Sequence, residues 1–456
     1  MLAYLNHAPA VLLRLDRNPF HHGTLGAVRS LGRRGVEVHA VVEDRGGPMG
    51  RSRYLHAVHE GPAGGLDPER PEALLECLVG VSERIGRPAV LFAMDDLSAI
   101  TVARIAPGLD GRFRIPRQPG GLPERVADKA ELAGLCGRWD VPHPETVVPA
   151  SAAEAAEAVW RLGLPAVAKW SRPWLLPGGR GLRSTTLVHS AAEARGLYER
   201  SQEAGSRLLL QRFLPAGPDT DWFFHGCFTR GGRPLLTGSG RKELSWPVRT
   251  GLTARGRWLP DPAVEEAGLR LAERLGYEGI LDLDFRRDEL GCFRLVDFNP
   301  RPGAQFRLFT DDAGLDVVQA LYLDLTGQQV PTPTGGPGRV FLAENYALLA
   351  TVRGLGLPRP PRRGEAPGVV DVRPSRAPGR IEAAWFAGDD LWPFIAMITA
   401  FLGRGARKGA RVVRSALRGF PARGRRTARA VVRTPRQRGT DLAPPAPAEP
   451  DELVAR

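Results

Sequence analysis

The stretch Gly279-Ile-Leu-Asp-Leu-Asp-Phe-Arg-Arg-Asp-Glu-Leu-Gly-Cys-Phe-Arg-Leu-Val-Asp-Phe-Asn-Pro-Arg-Pro-Gly303 decides the reading of this chain. Two alternating apolar/polar runs flank Leu290-Gly291, the signature of a β-hairpin. Opposed residue numbers would then sum to 581, which sets Phe285 against Val296 and Leu283 against Phe298 on one apolar face. The other face carries Asp282 opposite Asn299 and Asp284 opposite Asp297. Directly opposed like charges cost stability, so the arrangement makes sense if a divalent cation sits between the carboxylates. Oxygen-only ligands favour Mg2+, with Mn2+ as an alternative, held by carboxylates and completed by substrate phosphates; Ca2+ would want more protein oxygens. The competing reading is a solvated hairpin face with incidental acids. Against it stands the Asn-Pro-Arg-Pro-Gly turn that follows at once, which sets Arg301 where developing negative charge needs a planar donor.

Working outward, the first 120 residues alternate as an α/β sheet does. Ala10–Leu15, Val36–Val42 and Pro88–Ala93 read as strands, and Leu25–Arg34 and a segment from about Leu97 read as helices. Gly23, Gly26 and Gly32 follow the first strand without the tight GxGxxG spacing, which favours helix-to-strand packing over a bound dinucleotide. Gly120-Gly-Leu-Pro123 marks a boundary, and Glu124–Trp139 has helical spacing. Ser151 with Glu154 forms a capping box, Leu164–Lys169 is a strand ending in Lys169, and 171–184 is a Gly-, Pro- and Arg-rich loop. Arg207–Leu214 reads as a buried strand, followed by antiparallel strands at Trp222–Thr229 and Pro234–Ser239. Residues 356–380 read as a loop or linker, with a short strand at Ile381–Phe386.

At 456 residues the chain is long enough for two or three packed units, and 43% hydrophobic with 25% charged residues is ordinary globular composition. The four cysteines are scattered, with no CxxC pair and no histidine at finger spacing, so neither a disulfide framework nor a zinc finger is suggested. The net charge of +13 is a tail property: Arg404 to Arg438 holds 13 basic residues and no acidic one, leaving the rest of the chain neutral. A nucleic-acid-binding fold is therefore not implied. Of 63 cationic side chains only Lys129, Lys169, Lys242 and Lys408 are lysines, which singles out positions where a compact ammonium is wanted. The opening lacks a basic segment followed by a clean apolar one, and Leu391–Leu402 falls short of the roughly 20 residues a spanning helix needs. A cytoplasmic protein is expected, peripheral at the inner membrane surface if the tail binds lipid.

Taken in order, Leu122-Pro with Asp128-Lys129, Lys169 followed by a Gly-rich loop, the hinge Gln211-Arg-Phe-Leu214, and Asp284, Asp297 and Asn299 resemble the ATP-grasp superfamily of carboxylate–amine ligases. The phrases Arg29-Ser-Leu-Gly-Arg33 and Arg51-Ser-Arg-Tyr54 are similar to a subgroup that includes D-aspartate ligases. The resemblance implies a mixed α/β and α+β chain: a Rossmann-like pre-ATP-grasp domain over 1–121, a two-lobed ATP-grasp domain over 122–330 with its nucleotide-binding lobe at about 145–215, an elaboration over 331–402, and a basic tail over 403–456.

Carried over residue by residue, it implies that Lys129 and Lys169 hold ATP phosphates under the 171–184 loop. Gln211, Arg212, Phe213 and Leu214 would lie along the adenine, and Asp219 would accept from the ribose hydroxyls. Asp284, Asp297 and Asn299 would ligate the metal, and Arg301, Arg241 and Lys242 would meet the transferring phosphoryl group or the substrate. Gln211 departs from the usual carboxylate, although an amide still accepts from an adenine amino group. The implied reaction activates a carboxylate as an acyl phosphate and joins it to an amine. A carboxylase- or carbamoyl-phosphate-type reaction and a non-catalytic nucleotide-binding protein are the alternatives.

The substrates that the resemblance implies are a small carboxylate and an amine. Trp174, Trp246, Arg249 and Trp258 are candidates for the acceptor pocket, or tryptophans buried by ordinary packing. Homo-oligomerisation stays open. The run Leu391–Leu402 with the arginine stretch is either a last core helix with a solvated tail or an anchor on an anionic membrane surface.

Overall fold

Three sheets carry the described residues, and each grows from one of the segments above. The computed structural model describes residues 8–16, 18–43, 46–176, 181–217, 219–247, 251–355 and 380–418. Arg249, the 177–180 part of the loop, the 356–379 segment, the tail beyond 418 and the side chain of Lys408 lie outside the described residues.

The first sheet contains β1 (Ala10–Arg14), β2 (Val38–Val42), β3 (Ala57–Glu60), β4 (Ala89–Ala93) and β5 (Phe113–Arg114) in the order β3-β2-β1-β4-β5, all parallel. β1 and β2 are buried along their whole length, as strands covered on both faces must be, which explains their unbroken apolar runs. In such a doubly wound sheet the ligand crevice lies beyond the carboxyl ends of the strands. There Asp95 caps the helix Asp96–Ile105, its Oδ1 accepting from Ser98 N at 2.8 Å.

The glycines of the helix His22–Gly32 serve packing. A Cβ on Gly23 would lie 2.8 Å from Ala304 Cα, and one on Gly32 would lie 2.5 Å from Tyr54 Cβ. The two arginine phrases meet a single loop. Arg33 donates twice to Asp389 at 2.8 Å, and Tyr54 Oη donates to the same carboxylate at 2.7 Å. Arg29 Nε and Ser52 Oγ donate to Asp390 at 2.9 and 2.7 Å. These contacts account for the phrases as a structural tie.

The second sheet, β6 (Thr146–Val147), β7 (Ala166–Trp170), β8 (Thr185–Val188) and β9 (Leu208–Arg212), has the order β6-β9-β7-β8 and is antiparallel. The third contains β10 (Asp221–Thr229), β11 (Arg233–Trp246), β12 (Leu252–Trp258), β13 (Gly279–Arg287), β14 (Phe293–Asn299), β15 (Val340–Leu342) and β16 (Ile381–Ala383), ordered β14-β13-β10-β11-β12-β15-β16. The 331–402 segment thus adds two strands to the sheet that bears the carboxylates. All three sheets belong to one compact unit, Met1–Gly403. Of the second unit, Arg404–Arg456, the described part is helical to Arg418.

Two expectations are corrected. The Glu124–Trp139 segment is not one helix but two, Leu122–Ala127 and Lys129–Arg138, because Asp128 leaves the helical conformation to cap the second, accepting from Ala130 N at 3.0 Å and Glu131 N at 3.2 Å. The hairpin register holds from Asp282–Asn299 to Asp284–Asp297 and then slips, so that Phe285 pairs with Leu295 and Val296 is the extra residue of a bulge. No described helix is long and apolar enough to cross a membrane.

Candidate functional site

Asp284 and Asp297 face one another across β13 and β14, and cations from separate elements close on them. Lys129, the first residue of its helix, donates from Nζ to Asp297 Oδ1. Its position is fixed by the buried Asp128 behind it, which also accepts from Arg172 Nε at 2.8 Å, and by its own N–H, which donates to Ser171 O at 2.8 Å. Lys242 on β11 approaches Asp284 Oδ1 at 3.2 Å. Lys169 on β7 donates to the carbonyl of Val296 at 2.9 Å. That carbonyl belongs to the bulged residue, which has no partner of its own in the ladder, so the slip in register supplies an acceptor to the second lobe.

The charges respond to this setting. Burial pushes the Lys169 ammonium down to about 8, despite Asp297. Burial also works against Asp297 ionising, yet Lys129 and Lys169 hold its carboxyl below the ordinary value. Asp284 goes the other way: burial raises it, Lys242 opposes the rise, and neighbouring Asp282 and Asp297 add to it. Lys242 keeps its proton because Asp284 and Asp221 offset the cost of its burial.

Between the second sheet and the third lies a cleft of about 640 Å3. It is lined by Lys129, Lys169, Gln211, Arg212, Phe213, Leu214, Lys242, Asp284 and Asp297 among the residues expected from sequence. Gln211 donates from Nε2 to Thr146 Oγ1 at 3.0 Å, which ties the hinge to β6. Arg212 turns its guanidinium to Glu145 at 2.6 Å.

The remaining expected residues are not in this lining. Arg241 pairs with Asp219 and lies 3.5 Å from Glu243, so these two satisfy each other. Asn299 donates to Asp282 Oδ2 and accepts from Arg301 at 3.1 Å. Arg301 also donates to Asp96 Oδ1 at 3.1 Å and Asp282 Oδ2 at 3.3 Å. Trp258, half-buried, meets Phe309 edge to face against a packed cluster, as ordinary tryptophan packing does.

Solved structures share this fold. They include biotin carboxylase from Campylobacter jejuni in complex with β,γ-ATP (15% identity, 72% of each chain, TM-score 0.54). The biotin carboxylase domain of 2-oxoglutarate carboxylase from Hydrogenobacter thermophilus, bound to MgADP and bicarbonate, matches at 16% identity over 72% of each chain, TM-score 0.53. N5-carboxyaminoimidazole ribonucleotide synthetase from Thermus thermophilus matches at 17% identity, 73% of this chain and 81% of that one, TM-score 0.52. The chain has the ATP-grasp fold. No protein-family profile and no curated protein sequence matches it. None of these three structures is a D-aspartate ligase.

Within this fold the donor set fits a magnesium nucleotide. Two opposed carboxylates offer hard oxygen ligands, and three ammonium groups surround them as phosphates require. Asn299 fits less directly, since its amide oxygen faces Arg301. Sequence reasoning missed one acid beside the site and the partner of another. Asp96 lines the cleft, and burial raises its carboxyl even beside Arg301 and Lys129. Asp282 is buried with its Oδ1 2.8 Å from Nε2 of the fully buried His225. The signal for Asp96 was its place just after β4. For His225 there was none, because its partner is 57 residues away and is found only through the β10–β13 register. Gly303 must remain glycine here: a Cβ would lie 2.3 Å from His225 Cε1 and 2.7 Å from Asp282 Cγ.

Proposed function

We propose that the protein is an ATP-dependent ligase that joins a carboxylate to an amine. The observation that carries this is the convergence of Lys129, Lys169 and Lys242 on the opposed Asp284 and Asp297 inside a cleft of nucleotide size. A substrate carboxylate oxygen attacks the γ-phosphorus, the bond to the β,γ-bridging oxygen breaks, and ADP leaves. The amine nitrogen then attacks the acyl carbon, phosphate leaves, and the nitrogen loses a proton to give the amide.

Asp284 and Asp297 would hold Mg2+, or Mn2+, whose chemistry is to neutralise charge on the β- and γ-phosphate oxygens. The chain's own work is positional. Lys129 and Lys169 draw the phosphates toward β13 and β14, while Phe213 and Leu214 offer the adenine an apolar wall beside Gln211. Arg301, anchored by Asp96 and Asp282, stands at the exit of β14 to meet the acid. Arg241 and Asp219 serve the site as a pair behind it, with Asp219 reaching the ribose only after exchange.

The test is ADP release with pairs of acids and amines, with product mass as readout and bicarbonate among the acids, since two matched proteins are carboxylases by name. Asp297→Ala should lower substrate-dependent release by about 100-fold or more. Equal rates in both proteins would remove the enzyme reading and leave a nucleotide-binding regulatory protein. A peripheral association with an anionic membrane surface is part of the same reading. The helix Trp392–Arg418 exposes Trp392, Ile395 and Leu402 at helical spacing just ahead of the arginine run.

A further inference from the structure

The first sheet carries a second cluster of ligand-type side chains, at the end opposite its ligand crevice. Glu37 stands immediately before β2, His39 is the second residue of β2, and His56 immediately precedes β3. One donor atom from each lies within 4.8 Å of the others. Glu37 Oε1 is 2.8 Å from His39 Nε2 and 4.0 Å from His56 Nε2. For bonds near 2.05 Å, a tetrahedral zinc ion holds its ligand atoms about 3.3 Å apart. The two distances bracket that value, and the third side of the triangle is within 4.8 Å, so modest side-chain adjustment would seat the ion.

The supporting contacts are those a metal centre needs. Glu37 turns Oε1 toward both histidines, while its Oε2 is held by Arg87 at 2.6 Å. His39 turns Nε2 inward, while its Nδ1 lies 3.0 Å from Nε2 of the buried His59. A ligating imidazole whose other nitrogen is fixed by a neighbour is the recurring outer-shell arrangement of protein metal sites. The backbone holds the third ligand in place, because His56 N donates to Val38 O at 2.7 Å.

We propose that Glu37, His39 and His56 form a zinc site with a fourth position open to solvent. Two histidines and a carboxylate match zinc better than magnesium, which takes oxygen ligands. Because the cluster lies at the amino ends of β2 and β3, away from the crevice and the nucleotide cleft, the ion acts as a clip that fastens the edge strand β3 to the sheet. Its binding displaces no group of the ligase site.

The experiment uses the tag-free full-length chain, stripped with EDTA and kept in millimolar Mg2+ so that Asp284 and Asp297 are occupied by an oxygen-seeking ion. Zn2+ titration by calorimetry should give one site per chain with a micromolar or tighter dissociation constant and a rise in melting temperature. Co2+ should bind with the visible absorption of a four- or five-coordinate nitrogen–oxygen site. His56→Ala, an exposed position that leaves the core untouched, should weaken Zn2+ binding at least 100-fold, and Glu37→Gln at least 10-fold. Asp297→Asn should leave it unchanged. Binding that survives His56→Ala and Glu37→Gln, loss of binding in Asp297→Asn, or no saturable site below 100 μM Zn2+ would each overturn the assignment.

Discussion

At the scale of single residues, this chain places its titratable groups where burial and neighbours decide their charge. His22 opens the first helix with its side chain buried among Phe341, Tyr346 and Trp385, at ring separations of 5.4, 5.9 and 6.3 Å. Burial first, and the charge of Arg14 second, push its imidazole down to about 4. The unfolded chain takes up this proton near pH 6.5, whereas the folded one refuses it until about pH 4. The contribution is therefore fully present above pH 6.5 and is lost as the pH falls through that window, by up to about 3 kcal/mol. Urea unfolding at pH 7 and pH 4.5 should show the wild type losing more stability on acidification than His22→Leu; equal losses would place the proton elsewhere. Single residues were also where the sequence was least informative about the site. Lys129 and Lys169 stand out because lysine is rare in this chain. Arg241 looks like any cation in a β-strand, and only the fold reveals that Asp219 already occupies it.

At the scale of elements, the β13–β14 hairpin was legible because alternation forces a register: a slip of one residue would turn every carboxylate into the core. The bulge was not legible. One extra residue leaves both flanking runs alternating, and Val296 reads as an ordinary β-branched strand residue. Its consequence is functional, since the carbonyl freed from the ladder accepts from Lys169. Deleting Val296 should close the bulge and restore continuous pairing, so the protein should stay folded by circular dichroism. KM for ATP should rise about tenfold as Lys169 loses its anchor, measured by ADP release at varied nucleotide. An unchanged KM would mean that Lys169 holds phosphate without help from the bulge. The strand β15 escaped the reading for a different reason: at three residues it is too short to carry a period, and it forms because β12 offers an unpaired edge. The short strand read at Ile381–Phe386 is β16, and its pairing with β15 was not legible.

At the scale of the whole molecule, several strands of each sheet were legible in the spacing of apolar runs, whereas the ties between distant segments were not. Arg29 meets Asp390 across 361 residues of sequence, and no local pattern announces such a pair. The charge distribution was legible in full, because counting needs no structure: the unit up to Gly403 is close to neutral and the remainder is strongly basic. Vesicles containing anionic lipid should therefore sediment the full chain, and zwitterionic ones should not. Truncation after Leu402 should abolish sedimentation while leaving ADP release intact; retention of the truncated chain would move the lipid contact elsewhere. The scarcity of lysine has a practical side as well. Three of the four lysines converge in one cleft, so an amine-acylating reagent becomes a nearly site-directed label for this protein. Lys169, with its ammonium brought down to about 8, should acylate ahead of Lys242 near neutral pH. Added MgATP should shield Lys129 and Lys169 while sparing Lys408, and peptide mass mapping of the adducts would turn nucleotide occupancy into a direct count.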